Sequence, residues 1–542
     1  MDISDLLLSA SLGTSTTLPL NPTVTAITSD SRKVTPGSLF VALTGEVTDG
    51  HKYIPDALDK GAVAIVGEAD MLGVNIPYIR VRNSHHALAL LAAAFHDWPA
   101  RKLTVIGVTG TDGKTTTSNL IYHILLAAGI RAGMITTVNA VIGDEVLDTG
   151  FHVTTPESPD VQAYLAKMVE AGLTHVVLEA TSHGLAQYRV DACEFDIGVV
   201  TNITHEHLDY HGSYENYRAA KTRLFLGLTE TREKPQGNPR LAVLNRDDSS
   251  FAFLDRVTEV HRVSYGMDEE AEFRAGDISL DRSGLKFAIQ YKDICAEVQS
   301  NLVGKYNVSN CLAALAATVV GLGIDPQVAA RGVASLPGVP GRMERIYMGQ
   351  GFAAVVDFAH TPNALKSVIE TARQMLALDE AENEKRESLL SAITVPRIIT
   401  VFGSAGLRDK EKRCLMAEIS EELADLTILT AEDPRTESLE GILEEMAAGA
   451  RSRHGREGVT FWRIPDRGAA IRFAAELARP GDIVLFCGKG HEQSMCFGAR
   501  EFPWDDRTAV RAALAGLLGV DGPQMPYLPT QDTPESEWLN WK

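Results

Sequence analysis

Paired cysteines are missing from this chain of 542 residues: its six cysteines, at 193, 295, 311, 414, 487 and 496, follow no disulfide or metal-ligand spacing. That excludes a disulfide scaffold and a zinc finger, and it predicts reduced, mostly buried thiols. Positive charge is also short, with 51 Lys and Arg against 71 Asp and Glu and a net charge of −20. So acidic a chain is a poor match for nucleic acid or an anionic membrane surface. Any anionic substrate must be held by local basic pockets working against the global field. No apolar run reaches the roughly 20 residues that span a bilayer, and even Leu312 to Gly323 is short and broken by glycine. Met1 to Gly13 carries Asp2 and Asp5 where a signal peptide would carry Lys or Arg. A cytoplasmic protein without membrane insertion is expected.

What is present is ordinary globular material, 45% hydrophobic and 23% charged residues, in a length that implies roughly two to four domains. The most informative stretch is Leu103 to Leu120, LTVIGVTGTDGKTTTSNL. A β-branched run (Val105, Ile106, Val108) meets a Gly/Thr/Asp turn, followed by Lys114, three threonines and the helical pattern Leu120, Ile121, Ile124, Leu125. Strand, glycine loop and helix present backbone N–H groups and a helix N-terminus to phosphate. Lys114 would reach the outer phosphates and the Thr115 hydroxyl would bind Mg²⁺. Val108 stands where the strict phosphate-loop pattern has glycine, so only the compressed form Gly110-Thr111-Asp112-Gly113-Lys114-Thr115 is present.

Residues 1–98 read as a small α/β module, with a polar turn at Ser29 to Arg32, a strand from Ser38 to Leu43, a helix from Tyr53 to Lys60 and a strand from Ala62 to Val66. Residues 99–336 continue in βα units, with strands at His175 to Glu179, Ile197 to Thr201 and Leu241 to Asn245, which predicts a doubly wound parallel sheet. The alternation over 271–300 predicts antiparallel strands. Pro337-Gly338-Val339-Pro340-Gly341 is the strongest linker signal. A second doubly wound domain, 337–542, follows it, with strands near Ala353 to Asp357, Ile398 to Phe402, Leu426 to Thr430 and Ile483 to Cys487. The charge run Asp379 to Glu387 reads as a solvated loop or helix extension. The proline-bearing tail from Asp521 reads as a weakly structured extension in which Trp538 and Trp541 are candidates for docking.

Glu179 and His207 sit just beyond predicted strands, so both fall at the sheet edge that carries Thr115. A hydroxyl, a carboxylate and an imidazole suit Mg²⁺ ions that neutralise a polyphosphate. By pattern alone Lys221 is a surface lysine on an amphipathic helix, and Asn307 and Asn310 are helix caps. Arg342, Asp357 and His360 flank the linker, where a nucleotide could be pinned. The glycine turns at Gly403 to Asp409 and Cys487 to Glu492 follow strands and carry charge, the signature of a site rather than a core.

The ordered set GTDGKTTT (110–117), HVTTPES (152–158), EATSHGLAQYRV (179–190), TNITHEHLDYHGSYENYRAAKTRLF (201–225), GKYNVSN (304–310), GRMER (341–345), DFAHTPNAL (357–365), AEDPRTE (431–437) and GKGHEQ (488–493) resembles the Mur ligase family, specifically its MurE type. SDSR…PGSLFVAL…DGHKYIPDAL (29–58) is similar to that type's uridine-binding module. The resemblance covers nearly the whole chain outside 379–394 and the tail. It implies three α/β domains and an ATP-dependent amide ligase working through an acyl phosphate. Its substrate would be UDP-MurNAc-L-Ala-D-Glu, to which a dibasic amino acid is added. Gly110, Thr111, Asp112, Gly113, Lys114, Thr115 and Thr116 would bind ATP, completed by Asn307, Arg342 and Asp357. Thr115, Glu179, His207 and a carboxylated Lys221 would hold two Mg²⁺ ions. Ser31 would contact the UDP moiety, and Thr154, Thr155, Thr181, Gln187 and Arg189 the muramoyl-dipeptide. Closure of the C-terminal domain and a monomeric state are expected.

For the incoming amino acid the implied set is Arg408, Glu432, Asp433, Pro434, Arg435, Gly488 and Glu492. The family's Asp-Asn-Pro-Arg motif goes with meso-diaminopimelate; here the stretch is Glu432-Asp433-Pro434-Arg435. Arg435 can grip a carboxylate bidentately, helped by Arg408, which favours diaminopimelate. Asp433 adds an acid suited to an ammonium group, which favours lysine or ornithine. A folylpolyglutamate-type ligase would lack the uridine module. A noncatalytic homologue is disfavoured because Lys114, Glu179, His207 and Lys221 are all kept.

Overall fold

The computed structural model describes all residues except 13–19, 46–47, 71–74, 148–154, 205–207, 282–283, 386–394 and 542. The chain forms two compact units. The first comprises Met1–Thr204, Ser213–Arg274 and Ala313–Gly332, and the second contains Ala275–Leu312 and Val333–Lys542.

In the first unit the N-terminal residues build a parallel sheet of four short strands in sequence order, Ala26–Thr28, Ser38–Val41, Ala64–Gly67 and Tyr78–Arg80. Side-chain caps start two of its helical segments: Asp49 accepts from the His51 N–H and Asn83 from the His86 N–H, each satisfying an orphan donor of the first turn. The Ser29 to Arg32 turn is present, closed by the Asp30 carboxylate accepting the Arg32 N–H at 2.9 Å.

The larger sheet of this unit is built around Thr104–Thr109. On one side lie His175–Glu179, then Ala132–Ile135, then the antiparallel edge strands Ala140–Ile142 and Glu145–Leu147. On the other lie Ile197–Val200, Leu241–Asn245, His261–Gly266 and the first residues of Phe273–Asp281, all parallel. Thr104–Thr109 and Ile197–Val200 are buried at every residue, as strands covered on both faces must be. The chain winds first to one side of Thr104–Thr109 and then to the other, which opens a crevice at the strands' carboxyl ends. In this sheet Ala132–Ile135, Ala140–Ile142, Glu145–Leu147 and His261–Gly266 escaped the pattern reading, and Phe273–Asp281 starts parallel rather than antiparallel. Gly284–Tyr291 and Ile294–Ser300 are antiparallel as expected.

The second unit holds a six-stranded sheet in the order Glu344–Ile346, Ala353–Asp357, Ile483–Cys487, Ile398–Phe402, Leu426–Leu429, Phe461–Arg463, parallel except for its first pair. The helix Pro362–Lys385 continues into the charge run, so the helix-extension reading holds as far as the description goes. The tail corrects the expectation of a weakly structured extension. Leu528 and Trp538 are buried in the core of this unit, because two tryptophans and a tyrosine give a short irregular segment enough apolar area to order it. All six cysteines are free, but only Cys193, Cys311 and Cys487 are buried. No helix among the described residues is long and apolar enough to cross a membrane.

Candidate active site

The phosphate loop leaves its strand at Gly110, whose φ of +151° and contact with Thr201 leave no room for a Cβ. Gly113, at φ +83°, turns the chain into the helix Lys114–Ala127. The next strand braces the loop: Thr111 N–H donates to the Asn202 carbonyl at 2.7 Å and Asp112 N–H to Asn202 Oδ1 at 2.9 Å. Lys114 folds back, its Nζ 2.8 Å from the Thr111 carbonyl. The helix N-terminus adds the positive end of its dipole at this point.

Glu179, at the end of the neighbouring strand, is the hub. Thr115 Oγ1 donates to Glu179 Oε2 at 3.0 Å, and Thr137 donates to the same carboxylate from its N–H at 3.2 Å and its hydroxyl at 3.0 Å. The Glu179 carbonyl accepts from Thr155 Oγ1 at 3.2 Å, which in turn lies 3.0 Å from Thr181 Oγ1. Arg189 donates to the Thr155 carbonyl at 2.8 Å and to Gln187 Oε1 at 2.7 Å, and pairs with Glu157 at 2.9 Å. Thr155, Thr181, Gln187 and Arg189 are thus brought together beside the loop. Hydroxyl and carboxylate oxygens side by side at Thr115 and Glu179 fit a hard divalent cation. Thr154 and His207 lie outside the described residues, among which no cluster of three or more His, Cys, Asp or Glu is assembled.

The surface-lysine pattern reading of Lys221 is wrong. It is 1% exposed, with Nζ donating to the Gly110 carbonyl at 2.5 Å and standing 4.6 Å from the centre of the Tyr217 ring. Tyr217 OH lies 3.0 Å from Thr111 Oγ1, so the helix Tyr214–Glu230 supports the loop through two side chains. Lys221 and Tyr217 face a polar loop rather than water, a distinction that periodicity does not contain. Ser31 lies in its turn, its carbonyl accepting from Lys60 Nζ at 2.9 Å.

In the second unit, Asp357 Oδ2 accepts from Met343 N–H and Oδ1 from Ala359 N–H, both at 2.7 Å, which sets Arg342 beside it. The Arg342 guanidinium lies 4.4 Å from the centre of the Phe358 ring. The other face of this cluster is His491, 4.9 Å from the same ring. Burial, with Arg342, Arg507 and Lys489 nearby, holds its imidazole well below the ordinary histidine range. His360 Nδ1 is 3.1 Å from the Phe358 carbonyl. Asn307 and Asn310 are not caps. Asn307 Nδ2 donates to the Val303 carbonyl at 2.7 Å, and Asn310 donates to Asn307 Oδ1 at 2.9 Å, one turn inside the helix Tyr306–Leu315.

The loops that carry Arg408 and Arg435 meet at Gly406, whose N–H donates to the Asp433 carbonyl at 3.0 Å and whose Cα leaves no room for a Cβ against Pro434. This places the Arg408 loop against the Arg435 loop, with Arg408 exposed and Arg435 half-buried. Glu437 steadies the first loop by accepting from Leu407 N–H and, bidentately, from Arg413, all at 2.8 Å. The Arg413 hydrogen bonds push its carboxyl down to about 2. Asp433 overturns its expected role as an acid open to an ammonium group. Both its oxygens lie 3.1 Å from Nζ of the fully buried Lys489, and Oδ1 also accepts from Cys496 N–H at 2.9 Å. Lys489 pairs with Glu492 as well. Glu432 is buried against Gly488, whose φ of +110° and close approach exclude a Cβ, and burial raises its carboxyl.

Family models match the chain in three places: the Mur ligase family catalytic domain at 23–96, the Mur ligase middle domain at 108–318, and the Mur ligase glutamate ligase domain at 341–490. A UDP-N-acetylmuramyl-tripeptide synthetase of Roseiflexus sp. (strain RS-1) is 44% identical over 92% of this chain and 96% of its own. The chain belongs to the Mur ligase family. A UDP-N-acetylmuramoyl-L-alanyl-D-glutamate–2,6-diaminopimelate ligase of Geobacillus thermodenitrificans is 39% identical over 91% of this Mur ligase and 95% of its own length. A solved structure of a ligase of that same name superposes with a TM-score of 0.63 at 30% identity, covering 96% of this chain and 100% of the other. A folylpolyglutamate synthase of Mycobacterium tuberculosis shares the fold at 16% identity, TM-score 0.58, over 80% of this chain and 94% of its own.

Several residues that shape this Mur ligase site were not singled out in the sequence. Thr137 serves Glu179 from a strand end that lacks any motif, and Asn202, inside the 201–225 motif but given no role there, braces the loop. Arg467, fully buried, pairs bidentately with Asp506 and donates to the Ala431 and Cys487 carbonyls, tying together the two loops that carry Glu432 and Gly488. An arginine at helical spacing gives no signal of burial; only the facing aspartate does, and it is 39 residues away.

Proposed function

We propose that this Mur ligase joins meso-diaminopimelate to UDP-MurNAc-L-Ala-D-Glu at the expense of ATP, as a cytoplasmic monomer in peptidoglycan precursor synthesis. Its division would be 1–98 for the UDP moiety, 99–336 for ATP and 337–542 for the amino acid. The observation that carries the reading is the double role of Glu179. Its carboxylate meets Thr115 of the phosphate loop, while its carbonyl meets the Thr155, Thr181 and Arg189 group.

In the first step a carboxylate oxygen of the dipeptide substrate attacks the ATP γ-phosphorus, and ADP leaves from the acyl phosphate so formed. Lys114 and the helix N-terminus spread the developing charge. The amine then attacks the acyl carbon, phosphate departs, and the amine loses a proton to leave an amide. Thr115 and Glu179, joined by His207 and a carboxylated Lys221, would hold Mg²⁺, which supplies neutralisation of phosphate charge when bound. Asn307, Arg342 and Asp357 would complete the nucleotide site and Ser31 the uridine site.

The Asp433–Lys489 pair supports diaminopimelate over lysine or ornithine. With its carboxylate committed inside the protein, Asp433 adds no free acid for an ammonium group, and Arg435, on the loop that meets the Arg408 loop, would take a distal carboxylate. The test is phosphate release from ATP with UDP-MurNAc-L-Ala-D-Glu and one amino acid at a time. Diaminopimelate is expected to give turnover, with lysine and ornithine near background. Turnover with lysine would overturn the Arg435 assignment, and binding of nucleotide without turnover would overturn the ligase reading.

A further inference from the structure

The strands Ser494–Phe497 and Arg500–Pro503 form a two-stranded sheet of their own, and two strands alone are marginal in water. Yet this hairpin holds the loop that carries Arg435. Arg435 N–H donates to the Cys496 carbonyl at 3.0 Å, Gly498 N–H donates to the Arg435 carbonyl at 2.8 Å, and Cys496 N–H donates to Asp433 at 2.9 Å. Asp433 and Arg435 sit at φ +41° and +55°, a left-handed conformation that non-glycine residues keep only where their surroundings over-determine it.

The chain's last residues support the hairpin. Trp538, 1% exposed, meets the buried Phe497 edge-on with ring centres 5.3 Å apart. Trp541 lies 5.6 Å from Phe502, with the Arg500 guanidinium 5.1 Å from its ring. Ala499 N–H donates to the Trp541 carbonyl at 3.1 Å, and Gly498 approaches the Trp538 carbonyl so closely that a Cβ would collide. The tail is itself pinned at two points: Leu439 N–H donates to Glu535 at 2.5 Å and Thr530 to Asp466 at 2.7 Å. Arg435 and Phe497 are directly bridged through their backbones. A continuous series of contacts therefore runs from Trp538 through Phe497 to Arg435.

We propose that the C-terminal tail is a positioning element of the amino-acid subsite, with Trp538 acting through Phe497 to set Arg435. The inference rests on the reading above that Arg435 grips a carboxylate of the incoming amino acid. In the full-length enzyme, Trp538→Ala is expected to raise KM for diaminopimelate about tenfold, since small misplacements of a gripping group are costly. KM for ATP and for UDP-MurNAc-L-Ala-D-Glu should stay within about twofold, and Trp538→Phe should restore most of the loss. In an Arg435→Ala background, adding Trp538→Ala should change the amino-acid KM by less than about twofold, because both act on one group. Trp541→Ala, at a half-buried position, supplies the same comparison should Trp538→Ala fail to fold. A proportional rise in all three KM values, no rise at all, or a full effect in the Arg435→Ala background would overturn the tail's role. If Arg435→Ala alone leaves the amino-acid KM unchanged, the Arg435 reading itself falls, and this inference with it.

Discussion

At the scale of single residues, the site is built from side chains whose chemistry depends on being buried. Lys221 is the sharpest case: a lysine 1% exposed, lodged under the phosphate loop. Carboxylation would add CO₂ to its ammonium nitrogen, release two protons and convert a cation into an anion where metal ions are proposed. Enzyme equilibrated with ¹³C-bicarbonate is expected to show a carbamate carbon resonance that Lys221→Ala lacks; identical spectra would refute the modification. His491 makes the second prediction. Its imidazole is held well below the unfolded value of 6.5 by burial first and by Arg342, Arg507 and Lys489 next. The unfolded state therefore binds more protons than the folded one below about pH 6.5, so stability rises with pH across that window and is lost as pH falls through it. His491→Gln should flatten the dependence of the denaturation midpoint between about pH 7 and pH 5; an unchanged slope would assign it to other groups.

Elements are placed by a few buried polar contacts as much as by apolar packing. Asp196, at the foot of Ile197–Val200, accepts from Lys234 Nζ at 2.6 Å, with both side chains 0% exposed, and also from Val105 N–H at 2.8 Å. The pair fixes two neighbouring strands of the sheet against the segment after the Lys221 helix. Asp196→Ala strands a buried ammonium group and is expected to cost about 3–5 kcal/mol by denaturant titration. A loss below about 1 kcal/mol would mean that water reaches Lys234. At this scale much was readable in the sequence. His175–Glu179, Leu241–Asn245, Ala353–Asp357, Ile398–Phe402 and Ile483–Cys487 match their expected bounds, because each is a short run rich in branched aliphatic residues closed by a polar or glycine residue. Ala132–Ile135, with the sequence AGMI, has no such composition and is a strand only because its neighbours pair with it.

Over the whole molecule, each compact unit has apolar cores of its own: residues between Ala100 and Leu254 cluster in the first, and residues between Met343 and Trp538 in the second. Separate cores predict separable unfolding. In scanning calorimetry Asp196→Ala should lower one transition, and Arg467→Ala, which removes the ion-pair partner of Asp506 in the second unit, should lower another. One transition moved as a whole by either variant would show that the units unfold together.

The sequence by itself determined the family, the order of the βα segments, the phosphate loop and most of the residues gathered around Glu179, since these follow from local pattern and from motifs kept in order. Only the tertiary structure decided which charges are spent inside the protein. Asp433 is bound to Lys489, Lys221 is buried, Arg467 ties two loops, and the tail packs on the hairpin beside Arg435. Each depends on partners far apart in sequence, and whether a charged side chain meets water or an opposite charge is set by that pairing rather than by its neighbours along the chain.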